Sequence, residues 1–398
     1  MQKSRERYSA PPVRGANQSG MRAQNERLLL SLLHQRGSLA KRDITQLTGL
    51  SAQTVSVIMR QLEADGLLMR GEPVRGSVGQ PSVPMSLNPD GAWSLGLKVG
   101  RRNAELVLID FLGKVIAKRT RVFCLPQPNE LSDFVEQSFS ELEAAYGAEK
   151  ISRIAGLGVA LPFALWEWSE AIGSADEVMH VWRDVDLRQD LAEMFDFPVY
   201  LQNDGTSACG AELAFGHHRH LRDYVYFYIG SFVGGGIVIN QCLYPGRSGN
   251  AGALGSMSMG TGRQLVNDAS IITLERQLIK RGCNPQTLWV EGSDWADFEP
   301  DASAWIDTAA RSLASAIAAA SAVIDFEAAM IDGALPQRVR SILTAATVKE
   351  VTALKLPGLE LPEVLEGSVG QGAKALGAAS LPLYAKYLID SNRALTNA

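Results

Sequence analysis

The chain has 398 residues, more than a single hydrophobic core usually supports, so two or three domains are expected. A hydrophobic content of 46% and a charged content of 20% are typical of a globular protein with a large core. There is no uninterrupted apolar run of about 18 residues, and the basic N-terminus lacks an apolar h-region. Neither a membrane span nor a secretory signal is predicted, and a cytoplasmic location is the default expectation.

Charge is divided unevenly along the chain. Residues 1–89 carry 12 Lys and Arg against 6 Asp and Glu, whereas the remainder carries 26 against 37. The N-terminal part can therefore attract a polyanion that the rest would repel. Cys124, Cys209, Cys242 and Cys283 lie far apart without a C-x-x-C pair, which favours reduced thiols over a disulfide scaffold or a zinc site.

Residues 21–90 are predicted to form a winged helix-turn-helix domain. Apolar spacing and helix caps predict helices over 25–35, over 41–48, and from Ser51 to about residue 64. Gly49 supplies the tight turn between the second and third helices. Residues 67–70 and 83–87 are predicted to be the strands of a wing, joined by a Gly/Arg loop. Residues 1–20, with Pro11-Pro12 and scattered basic residues, are predicted to be a disordered arm.

The third helix presents short polar side chains opposite its apolar face, a composition suited to base edges in a major groove. An arginine near the wing tip is suited to phosphate or the minor groove. The predicted DNA contacts are Ser51, Gln53, Thr54, Ser56, Arg60, Arg75 and Gln80. The alternative is a small helical adaptor with a solvated polar face, but the capped helix, the wing and the positive charge together favour DNA binding.

From Trp93 onward strands alternate with helices, and the pattern starts again after Asp223. Strands are predicted over 95–99, 104–110, 115–121, 154–159 and 199–202, with a helix over 131–146. The second start has a strand over 224–229, a glycine turn over 231–236 and a strand over 237–240. Two similar β-rich starts predict a pair of α/β lobes with a cleft between them.

Several segments, in their order and spacing behind a winged helix, resemble the ROK family of repressors, open reading frames and sugar kinases. They are Gly49-Leu50-Ser51 with Thr54-Val55-Ser56, Trp182 to Leu187, Gln202-Asn203-Asp204, Ile229 to Ile237, and Ala251 to Gly255. The resemblance implies an α/β chain in which a winged helix-turn-helix precedes a two-lobed, actin-like (ribonuclease H-like) sugar-kinase fold. It places the first lobe at 91–210, completed by a C-terminal helix at about 381–398, and the second lobe at 211–380.

The resemblance also shows that the kinase phosphate loops are altered. Where family kinases have Gly-x-Asp-x-Gly-Gly-Thr, this chain has Gly96-Leu97-Lys98-Val99-Gly100-Arg101-Arg102. Lysine cannot bind magnesium as a carboxylate does, and phosphoryl transfer needs that metal, so no enzyme activity is expected. The second loop, Gly230 to Gly236, keeps most of its glycines, for which a tight strand-to-strand turn is predicted. An alternative is that Lys98, Arg101 and Arg102 form a new anion site.

A sugar site is expected to be only partly retained. Asn203 and Asp204 match the family's Asn-Asp pair, whose carboxylate accepts sugar hydroxyls and is the base in kinases; helix capping is the alternative role for Asp204. The family's Gly-Glu-x-Gly-His becomes Gly252 to Ser256 without Glu or His, and its cysteine-rich zinc loop is absent. No metal or other cofactor is therefore expected. The predicted ligand contacts are Asn203, Asp204, Asn250 and Ser256.

Two further groups of side chains have a functional and a structural interpretation. Trp166 and Trp168 offer a flat face to a pyranose ring, although tryptophans more often pack in a core. The run from His217 to His220 is predicted to be a solvated loop and not a metal site, since no carboxylate or cysteine partner lies nearby in the sequence.

Together these features predict a transcriptional regulator of sugar uptake or catabolism genes, and a repressor is favoured over an activator. It is expected to bind an operator in double-stranded DNA as a homodimer or a dimer of dimers, with a sugar or sugar derivative as effector and no membrane partner. Two alternatives stay open: an active sugar kinase fused to a DNA-binding domain, and a ligand-independent regulator controlled by a protein partner.

Overall fold

A computed structural model of the chain describes residues 18–73, 82–123, 125–163, 181–260, 262–290 and 292–389. The chain forms two compact units: the part up to Leu87 together with the segment from Tyr387, and the continuous stretch Asn88–Lys386. Within the described ranges, no helix is long and apolar enough to cross a membrane.

The N-terminal unit is a winged helix-turn-helix. Its helices are α1 Gln18–Arg36, α2 Lys41–Thr48 and α3 Ala52–Ala64, and its strands β1 Leu68–Arg70 and β2 Met85–Leu87 pair antiparallel. Leu39 adds a short bridge to Met85, with backbone hydrogen bonds of 2.8 and 3.0 Å in the two directions. Since α1 begins at Gln18, the predicted arm at 1–20 extends too far; residues 1–17 lie outside the described residues.

Local chemistry explains the turn between α2 and α3. Gly49 adopts a φ of +69°, which favours glycine, and its N–H donates to the carbonyl of Thr45. The Oγ of Ser51 accepts a hydrogen bond from the N–H of Thr54 at 3.1 Å, as the predicted cap requires. Apolar side chains from all three helices then share one core: Leu29, Leu33, Ile44, Val55, Ile58 and Leu62. Each buried side chain of this size contributes about 1.5–3 kcal/mol.

The second unit begins with the strands β3 Trp93–Val99, β4 Asn103–Ile109 and β5 Val115–Val122, which form an antiparallel meander. Helix α4 Pro128–Ile151 follows and is interrupted at Gly147, whose φ is +78°. Strands β6 Ile154–Leu161 and β7 Val199–Asn203 then extend the sheet in parallel, in the order β5-β4-β3-β6-β7. Helices α5 Leu187–Ala192 and α6 Asp204–Phe215 flank β7 along the chain.

A second sheet repeats this plan. Strands β8 Tyr224–Ile229, β9 Gly234–Ile239 and β10 Cys242–Leu243 are antiparallel, whereas β11 Ala328–Gly333 and β12 Glu363–Glu366 run parallel, in the order β10-β9-β8-β11-β12. Its helices are α7 Val266–Ala269, α8 Ile271–Lys280, α9 Asp301–Ser321 and α10 Gln337–Ala353. The repeated plan is that of the two-lobed, actin-like sugar-kinase fold, as the resemblance implied.

The C-terminal helix differs from its prediction. It is α11 Ala373–Lys386, not 381–398, and it contacts β3, β6 and α6. The glycines of this region allow its backbone to come close: a methyl group added at Gly158 would lie 1.8 Å from the carbonyl oxygen of Ala378. The residues after it belong to the winged-helix unit.

The glycines after Gly230 also differ from their prediction. Gly234, Gly235 and Gly236 lie in strand β9 and not in a turn. A methyl group at Gly235 would lie 2.0 Å from the oxygen of Tyr226, and one at Gly236 would lie 2.4 Å from Cβ of Cys209 on α6. Glycine is needed here because strand and helix approach closely, not because the chain reverses.

Candidate functional site

The exposed face of α3 carries the predicted reading residues. Gln53, Val57 and Arg60 lie at positions i, i+4 and i+7 and form one exposed stripe on this helix. Thr54 and Ser56 are half-buried, and their hydroxyl groups bond within the helix, to Ser51 Oγ at 2.8 Å and to the Ala52 carbonyl at 2.9 Å. Gln53 and Arg60 are therefore better placed to meet a partner than Ser51, Thr54 and Ser56.

A groove of about 660 Å³ runs between α2, α3 and the wing strands, and cations line it. Besides Arg60 they include Lys41 and Arg42, the first two residues of α2, and both are exposed. Cations in the first turn of a helix oppose the helix dipole, so their presence there costs a little stability. Sequence reasoning missed these two residues, although adjacent cations at a helix start were a visible signal.

Arg70 of β1 also lines this groove, but its guanidinium group is engaged in an ion pair within the protein. Its Nε and Nη2 donate to the two carboxylate oxygens of Glu63 on α3, at 2.6 and 2.9 Å. This bidentate bond lowers the pKa of Glu63 below its usual range. The two other predicted contacts, Arg75 and Gln80, lie outside the described residues.

In the second unit, the first phosphate loop is the turn between β3 and β4, and Lys98 folds back on it. Its Nζ donates to Oδ1 of Asn103 at 2.5 Å. Burial and, to a smaller extent, the positive charge of Lys374 together lower the pKa of Lys98 to about 8. Lys98 is thus a partly buried cation at the position where the resemblance to family kinases predicts a metal-binding carboxylate.

The two arginines of this turn bind a single carboxylate on the other sheet's helix α8. Nη2 of Arg101 and Nη2 of Arg102 lie 3.0 and 2.8 Å from Oε2 of Glu275, whose side chain is 5% exposed. Trp289 donates its indole N–H to the same carboxylate at 2.7 Å, and the guanidinium of Arg102 lies over the Trp289 ring. We call Arg101, Arg102, Glu275 and Trp289 the arginine clasp. It occupies the guanidinium groups that the alternative anion site would need.

Asn203 and Asp204 stand at the junction of β7 and α6, as predicted, but with divided roles. Asn203 is the helix cap: its Oδ1 accepts from the N–H groups of Gly205 and Thr206 at 3.0 and 3.2 Å. Asp204 is ion-paired through Oδ2 with Nζ of Lys374 in the first turn of α11, and that ammonium lies 4.6 Å from the Tyr228 ring centroid. Lys374 was missed because it lies 170 residues away in the sequence.

Asn250 and Ser256 are exposed and lie on the loop around Gly252. Close backbone contacts bring this loop and the start of α6 onto the same part of β9: methyl groups at Gly252 and Gly205 would lie 2.6 Å from Gly236 Cα and 2.7 Å from Gly235 N. The four predicted ligand residues thus come from two segments that meet on one strand. Trp166 and Trp168 lie outside the described residues.

The run from His217 to His220 lies between α6 and β8. His217 donates its backbone N–H to Ser368 at 3.0 Å, and the rings of His218 and His220 are 6.2 Å apart. Over the part of the chain that the structure describes, no group of three or more His, Cys, Asp or Glu side chains is arranged to hold a metal ion.

The winged helix and the two-lobed unit together define a class: DNA-binding transcriptional regulators built on a sugar-kinase-like fold. The model of the ROK family matches residues 94–384, so the chain belongs to the ROK family; a model described as winged helix-turn-helix DNA-binding matches residues 22–69.

Several known proteins are similar to the chain. An uncharacterised protein, y4fQ of Sinorhizobium fredii, is 26% identical over 90% of this chain and 91% of its own length. The xylose repressor of Bacillus subtilis is 24% identical over 61% of this chain and 62% of its own length. The crystal structure of a ROK family transcriptional regulator, a homologue of the E. coli MLC protein, superimposes with a TM-score of 0.67 at 20% identity and covers 92% of this chain and 98% of that one.

Proposed function

We propose that this protein is a repressor of sugar uptake or catabolism genes and that its kinase-like unit senses a sugar or sugar derivative. The exposed stripe of Gln53, Val57 and Arg60 on α3 is the observation that carries the DNA-binding half of this proposal. The similarity to the xylose repressor supports the sugar half.

Substitutions on α3 test the DNA-binding role. Gln53→Ala and Arg60→Ala are each expected to weaken binding to the operator by about 1–3 kcal/mol and to relax its sequence preference, since base contacts carry the specificity. Arg22→Ala is the matched control, because this exposed arginine on α1 pairs with Glu26 at 2.9 Å. A gel shift with a site found by genome-wide binding measures both. Unchanged affinity in both α3 variants would remove α3 from the reading role.

The kinase-like unit is proposed to be without kinase activity. Lys98 lies where a magnesium-binding acid is needed, and Glu275 holds the arginines of the phosphate loop. Incubation of the full chain with ATP, magnesium and a panel of sugars should release no sugar-dependent ADP. Sugar-dependent release would instead establish an active kinase joined to a DNA-binding domain.

A ligand-independent regulator is the second candidate, and one observation favours it. The carboxylate of Asp204 already has an internal partner in Lys374, so a sugar must displace an ion pair to bind there. Thermal melts of the full chain against sugars and sugar derivatives separate the two ideas, because a ligand that binds the folded state raises the melting temperature. A shift with one compound supports the sensor; no shift with any supports control by a protein partner.

The oligomer is proposed to be a homodimer or a dimer of dimers. One recognition helix reads only a few base pairs, whereas two related by a twofold axis read a palindrome with a fixed half-site spacing. Light scattering of the free protein, together with the symmetry of the bound sites, tests this. A monomer on a non-repeated site would contradict it.

A further inference from the structure

Helix α11 packs closely against the first sheet of the kinase-like unit. Methyl groups added at Gly96 and Gly158 would lie 2.3 and 1.8 Å from the carbonyl oxygens of Ala375 and Ala378. One added at Gly156, nearer the start of β6, would lie 3.1 Å from Pro382. The helix therefore runs opposite to β3 and β6, and its 14 residues span about 21 Å.

The first turn of α11 lies in the predicted ligand site. Lys374 pairs with Asp204 and lies over the Tyr228 ring. The side chains of Lys374 and Asp204 are only 16% and 13% exposed. On the opposite side of the helix interface, a methyl group at Gly377 would lie 1.7 Å from the oxygen of Ser207 on α6. Anything that competes for Asp204 or for Lys374 thus acts directly on the start of α11.

The other end of α11 continues into the DNA-binding unit. The helix ends at Lys386, and the chain from Tyr387 belongs to the winged-helix unit. Leu388 is 1% exposed, and the N–H of Ile389 donates to Oγ of Ser31 on α1 at 2.7 Å. We call Tyr387 to Ile389 the tail anchor. The DNA-binding unit therefore has two covalent connections to the kinase-like unit, one after Leu87 and one after Lys386.

We infer that α11 transmits the state of the Asp204–Lys374 ion pair to the DNA-binding unit through the tail anchor. The inference rests on the proposed function. Only one residue separates the end of the helix from the buried Leu388, so the link spans at most about 7 Å and has little slack. The backbone of α11 is in close contact with glycines of β3 and β6. We expect a displacement at the first turn of the helix to be carried along it to the tail anchor, and so to α1.

Uncoupling the helix from the tail anchor tests this inference without an effector. The substitution Asp204→Asn removes the charge that holds Lys374 and keeps the size of the side chain. The substitution is made in two proteins: the native chain, and a chain with Gly-Ser-Gly-Ser inserted between Lys386 and Tyr387. The probe is a DNA duplex that the native full chain selects from a random-sequence pool. Asp204→Asn should change the affinity for this duplex about fivefold or more in the native chain, and less than about twofold in the chain with the insertion.

Lys118→Met is the matched control, because it removes a lysine that pairs with Glu105 at 2.6 Å across β5 and β4. It should leave the affinity unchanged in both chains. An equal effect of Asp204→Asn with and without the insertion would overturn the inference, and so would the absence of any effect.

Hydrogen exchange keeps the inference separate from the proposed function. If the full chain selects no duplex, the proposed function fails, but the relay can still be measured as exchange of the amides of α1 around Ser31. Asp204→Asn should alter this exchange in the native chain and not in the chain with the insertion. Identical exchange in all four proteins overturns the relay.

Discussion

At the scale of single residues, Lys98 has the most informative environment. It is a partly buried cation bonded to an amide oxygen, Oδ1 of Asn103, and Lys374 adds a second positive charge nearby. Its pKa of about 8 lies below the usual 10.5, because burial and like charge both disfavour the protonated form. An ammonium group cannot bind magnesium as a carboxylate does, which supports the proposal that this unit lacks kinase activity.

The pKa of Lys98 predicts a pH dependence of stability. Below a pH of about 8, Lys98 is protonated in both the folded and the unfolded chain, and the folded chain carries the full cost of burying the charge. Between about pH 8 and 10.5 the unfolded chain binds more protons at this site than the folded chain does. The contribution of Lys98 to the free energy of unfolding therefore rises with pH. The total change is at most about 3 kcal/mol, and less because Lys98 keeps some contact with solvent.

Lys98→Met isolates this contribution. The variant should be more stable than the native chain at about pH 7, and the difference should shrink towards about pH 10. Urea unfolding followed by tryptophan fluorescence measures it, because all seven tryptophans lie between residues 93 and 305, in the kinase-like unit. A difference that stays constant with pH would show that Lys98 is not titrating in this range.

At the scale of elements, two contacts join segments of the kinase-like unit that are far apart in the sequence. The arginine clasp joins the β3–β4 turn to α8, and α11 packs backbone to backbone on β3 and β6. Both depend on particular residue types: the clasp on one buried carboxylate, the helix contact on glycines that have no side chain.

Loss of the clasp carboxylate is expected to destabilise the unit strongly. Glu275→Gln leaves two partly buried guanidinium groups without a counter-charge, which should cost about 3–5 kcal/mol. Arg101→Ala should cost less, because Glu275 keeps Arg102 and Trp289. Circular dichroism during urea unfolding measures both. As a control, Arg119→Ala removes an exposed pair with Glu141 and should cost under about 1 kcal/mol. A Glu275→Gln loss as small as this would contradict a structural role for the clasp.

Gly158→Ala tests the helix contact. The new methyl group meets the backbone of Ala378, which cannot rotate away as a side chain could, so a loss of about 3 kcal/mol or more is expected. Gly234→Ala is the control, because nothing lies within 4 Å of its added methyl group. Thermal melts compare them, and the contact would be refuted by two variants of equal stability.

At the scale of the whole molecule, the division of charge shapes its interaction with DNA. The basic N-terminal part contains the groove cations Lys41, Arg42 and Arg60, whereas the remainder is acidic. The acidic remainder repels DNA and so disfavours non-specific contact, whereas the basic winged helix attracts it.

The salt dependence of DNA binding should report the groove cations. Each phosphate contact contributes about 0.9 to the slope of log affinity against log salt, so replacing both Lys41 and Arg42 by alanine should reduce the slope by about 2. The loss should be similar for all duplex sequences, unlike that of Arg60→Ala. Lys349→Ala, at an exposed position of α10, serves as the control. An unchanged slope in the double variant would place these cations away from phosphate.

Local pattern was enough to place most elements. The predicted second helix at 41–48 and the strand at 224–229 coincide with α2 and β8, because apolar periodicity and glycine stops act within a few residues. Where packing between elements decides, local pattern was misleading: Gly234 to Gly236 resemble a turn in sequence, yet they form a strand that approaches its neighbours closely.

By itself the sequence determined the class of protein, because short motifs such as the capped α3 indicate it. It also predicted a departure from kinase chemistry, from Lys98 with Arg101 and Arg102 in the phosphate loop. Only the tertiary structure decided what these charged groups bind. Glu275 lies 174 residues from Arg101, Lys374 lies 170 residues from Asp204, and Ile389 lies 358 residues from Ser31. The physical reason is that any of many side chains of suitable charge can partner a buried ion, and the fold alone brings one of them within hydrogen-bonding distance.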